Sequence, residues 1–220
     1  MGSYENDTDV LDRELRRVLA VFDSVTDDEW ARPTLLVPWD AGQPHWTVFE
    51  LAGHFDISIG LTRMLIADPS NGQPGRDRVS FFIFPRSEVA PGVYDYAYTM
   101  VEGKEPGDMP GALRETFTRT IEESRANPPA LVGSGYYALM ELGEFVPSRI
   151  VEAVVHGFDL TDALGRETIA SREASRSPRA SWTSCSPGAP SPAARPISPT
   201  TWRGFAPRQG GRRTTIRACR

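Results

Sequence analysis

The chain contains few of the residues that most often carry metal-binding and nucleophilic chemistry. Its 220 residues include two cysteines and three histidines. Both cysteines, Cys185 and Cys219, lie in the last 50 residues, so the first 170 residues have no disulfide, no thiolate nucleophile and no cysteine metal ligand. No apolar run approaches the roughly 20 residues that span a bilayer. The polar, acidic N-terminus is unlike a signal peptide, so we expect a cytoplasmic protein without a membrane partner.

Basic and acidic residues are divided unevenly along the chain. Residues 171–220 contain ten Arg, no Lys and one acidic residue, a net charge of +9. Residues 1–170 contain 14 basic and 28 acidic residues, a net charge of −14. The acidic body has no excess of positive charge that could bind nucleic acid, so we expect no nucleic-acid partner. The basic tail alone superficially resembles a nucleic-acid-binding segment.

Leu, Val and Met are absent from residues 171–220, which contain seven Pro and eight Ser. A segment without apolar periodicity cannot offset the entropy lost on ordering, so the composition predicts a disordered Arg/Pro/Ser-rich tail. The same composition is typical of an out-of-frame reading of a GC-rich gene. We therefore hypothesise a frameshift. Translation of the other two frames would refute this if neither restored periodic apolar sequence.

Apolar periodicity predicts four helices in the rest of the chain. They are expected at about 8–24, 47–67, 108–127 and 147–164. Thr47 and Glu50 have capping-box spacing at the start of the second helix, and Gly165 is placed to end the fourth. Between residues 68 and 107 the period is lost, although 79–84 is apolar enough for a short strand and 93–102 for a helix. This pattern predicts an all-α helical bundle with one long crossover connection.

Three potential metal ligands lie on the second and fourth predicted helices. Glu152 and His156 are four residues apart, which places them on one helix face, one turn apart. His54 lies beside the apolar stripe of the second helix, and bundles build metal sites from facing helices in this way. Three ligands that leave a position open are typical of a catalytic divalent metal. The alternative is a hydrogen-bonded surface pair of Glu152 and His156.

Neighbouring residues offer further roles at this site. Asp159 could accept a hydrogen bond from His156, and Arg149 could hold Glu152 or a substrate anion. Each of the two is equally compatible with an ordinary exposed helix charge. Glu144 competes for the carboxylate position but is some three turns from His156, and His45 is expected to be a surface or loop-packing residue.

Two segments of the sequence resemble a known family. Residues 46–55 read WTVFELAGHF and residues 149–160 read RIVEAVVHGFDL. They are similar to the signature helices of the mycothiol-dependent maleylpyruvate isomerase N-terminal domain, within the DinB-like metalloprotein superfamily, and the likeness covers about 8–168. The resemblance implies a DinB-like four-helix bundle that binds a divalent metal, usually zinc, through His54, Glu152 and His156. It implies no catalytic residue separate from this metal site.

The resemblance also implies an activity, a cosubstrate and an actinobacterial source. Family members use the low-molecular-weight thiol mycothiol for isomerisation or thiol transfer, so the expected partners are a small-molecule thiol and an electrophilic substrate. A metal with an open position would lower the pKa of the bound thiol and hold it as a thiolate. Full-length isomerases of this type have a C-terminal portion for substrate binding, which nothing after about Ala170 resembles. The alternative function is a non-catalytic, truncated, sensory or dimerising metal-binding bundle, and a homodimer stays open.

Overall fold

The computed structural model describes residues 3–38, 40 and 42–169, and this part of the chain is mostly helical. Its α-helices are α1 Tyr4–Phe22, α2 Val48–Ala67, α3 Arg86–Val101, α4 Met109–Ala126 and α5 Leu142–Leu164. An antiparallel hairpin, which the sequence did not predict, pairs β1 Val132–Ser134 with β2 Leu139–Glu141. The predicted all-α class is confirmed. The predicted disordered tail and its frameshift hypothesis lie outside the described residues.

The helices pack around one apolar core. α1 and α2 each contact both α4 and α5, and α3 packs against α2. Because α2 contacts three other helices, it is apolar around most of its circumference, which is typical of a buried helix. No helix within the described residues is long and apolar enough to cross a membrane. The contact between α2 and α5 brings together the two helices that carry the predicted ligands.

The start of α2 is fixed by the predicted capping box. The hydroxyl of Thr47 accepts a hydrogen bond from the backbone N–H of Phe49 at 3.2 Å. The carboxylate of Glu50 accepts one from the backbone N–H of Thr47 at 2.8 Å. These bonds satisfy N–H groups that have no partner within the helix. They set the register of α2 and therefore the helix face on which His54 lies.

α5 begins five residues earlier than predicted, at Leu142 rather than near Pro147. Proline has no N–H, so within a helix it leaves the carbonyl four residues before it without a hydrogen bond. Here that carbonyl belongs to Gly143, and Nη2 of Arg78 donates to it at 3.2 Å. The C-terminal end agrees with the prediction, because Gly165 adopts the left-handed conformation with φ 65°.

The crossover between α2 and α4 departs most from the prediction. The expected strand at 79–84 is wrong, since Ser80–Phe82 forms a 3-10 helix. One carboxylate oxygen of Asp77 accepts hydrogen bonds from the backbone N–H groups of Val79 and Ser80 at 3.0 and 2.7 Å, which turns the chain. α3 begins at Arg86, seven residues before the predicted start, and continues through Pro91. α1 also begins earlier than predicted, because Ser3 caps it.

Candidate metal centre

His54 from α2 meets Glu152 and His156 from α5 in a compact triangle. The Nε2 atoms of the two histidines lie 3.1 Å apart. Oε2 of Glu152 lies 3.3 Å from Nε2 of His156 and 3.5 Å from Nε2 of His54. Within residues 3–38, 40 and 42–169, no other group of three potential metal-ligating side chains was found. The structure therefore brings all three predicted ligands together.

Two sides of this triangle, those from Glu152 to the two imidazoles, match the ligand spacing of a tetrahedral divalent metal. Zinc binds imidazole nitrogen and carboxylate oxygen at about 2.0–2.2 Å, which places two tetrahedral ligand atoms about 3.3–3.5 Å apart. A direct hydrogen bond between a charged imidazole and a carboxylate is shorter, at about 2.7–2.9 Å. Both distances from Glu152 to the imidazoles exceed that range. The two Glu152 distances thus fit ligands that share a metal better than direct hydrogen bonds, whereas the 3.1 Å between the two Nε2 atoms also fits a hydrogen bond.

The two imidazoles are oriented in different ways. Nδ1 of His156 lies 2.8 Å from Oδ2 of Asp159, so the carboxylate accepts a hydrogen bond and leaves Nε2 free for the triangle. Nδ1 of His54 is buried and has no hydrogen-bond partner among the described residues. Its ring instead packs on the indole of Trp46, with ring centroids 5.0 Å apart. His156 is therefore held by a hydrogen bond and His54 by packing.

Arg149 is not an exposed helix charge, because its side chain is 1% exposed. The guanidinium packs against the rings of Phe81 and Phe145, 4.8 and 4.5 Å from their centroids. Nη1 donates to the backbone carbonyl of Ser58 at 2.9 Å, which links α5 to α2. Nη2 lies 3.9 Å from Oε1 of Glu152. The buried guanidinium of Arg149 therefore lies next to the carboxylate of Glu152, on the side away from the two imidazoles.

Burial and charge shift the pKa values of the three predicted ligands in different directions. Burial lowers the pKa of His54, and the neighbouring His156 lowers it further. Burial also disfavours a charged His156, but the hydrogen bond to Asp159 and the negative charge of Glu152 outweigh it and raise the pKa of His156 to about 9. Burial alone would raise the pKa of Glu152, yet the two neighbouring imidazoles and the guanidinium of Arg149 hold it well below its usual range. Without a metal, the site therefore holds one imidazolium beside one carboxylate.

The other candidates lie away from the triangle. Glu144 is in the first turn of α5, where its carboxylate accepts two hydrogen bonds from the guanidinium of Arg78, each at 2.9 Å, and one from its backbone N–H at 3.0 Å. His45 is exposed in the loop before α2, as expected. Sequence reasoning missed Phe81 and Phe145 as the aromatic walls around Arg149, because Phe81 lies in the segment predicted as a strand.

The model of the mycothiol maleylpyruvate isomerase N-terminal domain family matches residues 11–161 of the chain, well over half of its length. The chain belongs to this family. The matched range includes the three residues of the triangle together with Arg149 and Asp159. No curated protein and no solved structure matches the chain significantly. The family is that of a mycothiol-related isomerase domain, which agrees with the resemblance seen in the sequence.

Proposed function

We propose that the chain binds a divalent metal, zinc, through His54, Glu152 and His156, and acts as a mycothiol-dependent isomerase or thiol S-transferase. The observation that carries this proposal is the triangle of two imidazole nitrogens and one carboxylate oxygen in a chain of this family. Its spacing suits three ligands of a tetrahedral ion and leaves the fourth position for a small molecule.

When bound, the metal would lower the pKa of a thiol at the open position and hold it as a thiolate. The protein supplies the geometry. Asp159 keeps His156 in the tautomer whose Nε2 lone pair faces the triangle, and Trp46 limits the rotation of the His54 ring. Packing of α2 against α5 sets the distance between the two imidazoles.

We propose that the sulfur comes from a small molecule, since the first 170 residues, which contain the whole triangle, have no cysteine. In the isomerase reaction, the thiolate adds to one carbon of an activated double bond, and the resulting single bond can rotate. Elimination of the same thiolate restores the double bond in the other geometry, so the thiol is not consumed. In an S-transferase reaction, the carbon–sulfur bond is retained and a proton completes the adduct. Recovery of free mycothiol after turnover therefore distinguishes the two reactions.

Cobalt substitution tests the proposal. We expect the cobalt-loaded protein to develop a sulfur-to-metal charge-transfer band when mycothiol is added. The same protein should then convert maleylpyruvate to its isomer or to a thiol adduct. The His45→Ala variant is a matched control because its histidine is exposed and does not belong to the triangle, so it should behave like the unmodified chain. Cobalt binding without a thiol-dependent band would favour the alternative of a non-catalytic metal-binding bundle.

A further inference from the structure

Arg149 carries a positive charge at a position where most proteins would place an apolar side chain. Its Nε donates to the hydroxyl of Ser148 at 3.1 Å, and its Nη1 donates to the carbonyl of Ser58 at 2.9 Å. Both partners are neutral, and the rings of Phe81 and Phe145 cover the guanidinium. These contacts satisfy part of the hydrogen-bonding capacity of the side chain but do not neutralise its charge. A buried charge is unfavourable unless an opposite charge compensates it.

The compensating charge comes from Glu152. Nη2 of Arg149 has no hydrogen-bond partner among the described residues, and it lies 3.9 Å from Oε1 of Glu152. No other carboxylate in the part of the chain that the structure describes forms an ion pair with Arg149. The two oxygens of Glu152 thus have separate neighbours, since Oε2 faces the two imidazoles and Oε1 faces the guanidinium. The charge of Arg149 therefore acts on the triangle through the carboxylate of Glu152.

The charge balance of the loaded site follows from these neighbours. Two neutral imidazoles and a divalent ion contribute +2, and the carboxylates of Glu152 and Asp159 reduce the total to zero. Arg149 restores a single positive charge, which is buried and has no further carboxylate to neutralise it. A monoanion at the open position would bring the site to neutrality, whereas a neutral ligand would not.

We propose that Arg149 is a positioning residue whose fixed charge makes the loaded site select a monoanionic ligand over a neutral one. This inference rests on the proposed function, because it requires a metal at the triangle. It extends that function by assigning ligand selectivity to a residue that does not contact the metal. A purely structural Arg149, which only links α5 to Ser58 of α2, would support anionic and neutral ligands equally.

The test compares an anionic probe and a neutral probe on cobalt-loaded protein. Thiocyanate is the monoanion, and imidazole at about pH 8 is the mainly uncharged ligand. The Arg149→Met variant keeps much of the side-chain volume but removes the charge. We expect it to bind thiocyanate at least about tenfold more weakly and to bind imidazole with an affinity within about twofold of the unmodified protein. The Arg149→Lys variant keeps the charge and should retain thiocyanate affinity to within about threefold.

The outcomes separate this inference from the proposed function. If the unmodified protein takes up no cobalt at the triangle, the proposed function itself fails. If it takes up cobalt but Arg149→Met leaves thiocyanate affinity unchanged, or weakens thiocyanate and imidazole to the same extent, only the inference is overturned. Circular dichroism establishes whether each variant is folded. If the Met variant does not fold, the Arg149→Gln variant, which also removes the charge but keeps hydrogen-bond donors, decides the matter: weaker thiocyanate binding with unchanged imidazole binding supports the role of the charge, and unchanged thiocyanate binding contradicts it.

Discussion

Asp159 accepts a hydrogen bond from Nδ1 of His156 at 2.8 Å, within one turn of the same helix. Once the ring is neutral, the bond keeps the remaining proton on Nδ1 and directs Nε2 toward His54 and Glu152. A carboxylate in this position also makes the imidazole a stronger donor of its lone pair. Contacts within α5 alone therefore orient His156 beside Glu152, and only the third residue, His54, comes from α2.

Replacing Asp159 by Ala should weaken zinc binding by about 10- to 100-fold, because His156 would lose its acceptor and its fixed tautomer. A competitive titration with a chromophoric chelator measures the affinity. The Asp162→Ala variant is the matched control, since Asp162 is exposed on the same helix. Equal zinc affinity in the two variants would show that the hydrogen bond plays no part in metal binding.

Replacing His156 by Ala should lower zinc affinity by more than about 100-fold, because two remaining ligands do not hold the ion in a fixed geometry. Elemental analysis of the purified protein gives the stoichiometry directly. The exposed His45 provides the control, and His45→Ala should retain the zinc content of the unmodified chain. One equivalent of zinc in the His156 variant would contradict the ligand assignment.

Zinc uptake should release about one proton at pH 7. The pKa of His156 is raised to about 9 in the metal-free protein, so this imidazole is protonated at neutral pH and must lose its proton to bind a metal. The lowered pKa of His54 means that this second imidazole is already neutral. Calorimetry in buffers with different ionisation enthalpies counts the released protons. The count should fall toward zero above about pH 9, and a count of zero at pH 7 would disprove the assigned charge state.

Replacing Gly53 by Ala should destabilise the fold by about 1–3 kcal/mol, as overpacking of a close contact does. A Cβ at this position would lie 2.5 Å from the backbone carbonyl oxygen of Ala97, where α2 and α3 pack closely. Gly111 in α4 has open space around the same position, so Gly111→Ala should be neutral or stabilising by up to about 1 kcal/mol. Denaturant unfolding measures both, and equal stability of the two variants would contradict the close packing of α2 against α3.

Local signals predicted the parts of the fold that depend on neighbouring residues. The capping box of Thr47 and Glu50 and the left-handed Gly165 involve contacts within a few residues, and both are where the sequence placed them. The spacing of Glu152 and His156 likewise fixes their common helix face. Bringing His54 to them depends on the packing of α2 against α5, which spacing alone does not determine. The sequence connected His54 to them only through the expectation that facing helices of a bundle share a metal site, and the family resemblance supported that connection.

Long-range contacts explain the wrong predictions. The beginning of α5 was placed near Pro147 because a proline normally ends or begins a helix. The carbonyl that this proline leaves free is satisfied by Arg78, which is 65 residues away in the chain. The burial of Arg149 could not be predicted from the sequence either. One of the two rings that cover its guanidinium is Phe81, which lies in a segment whose fold depends on the side chain of Asp77. No local pattern encodes either partnership.

The three residues of the triangle come from two helices, α5 and α2, so a bound ion would affect how firmly these helices are held together. Glu152 and His156 move together whenever α5 is helical, whereas His54 is joined to them only through the packing of two helices. An ion shared by His54 and His156 would act as a cross-link between positions 102 residues apart in the chain. Such a cross-link favours the folded state over the unfolded chain and resists separation of α2 from α5. Loss of the ion would then loosen the contact between α2 and α5 while leaving each helix intact.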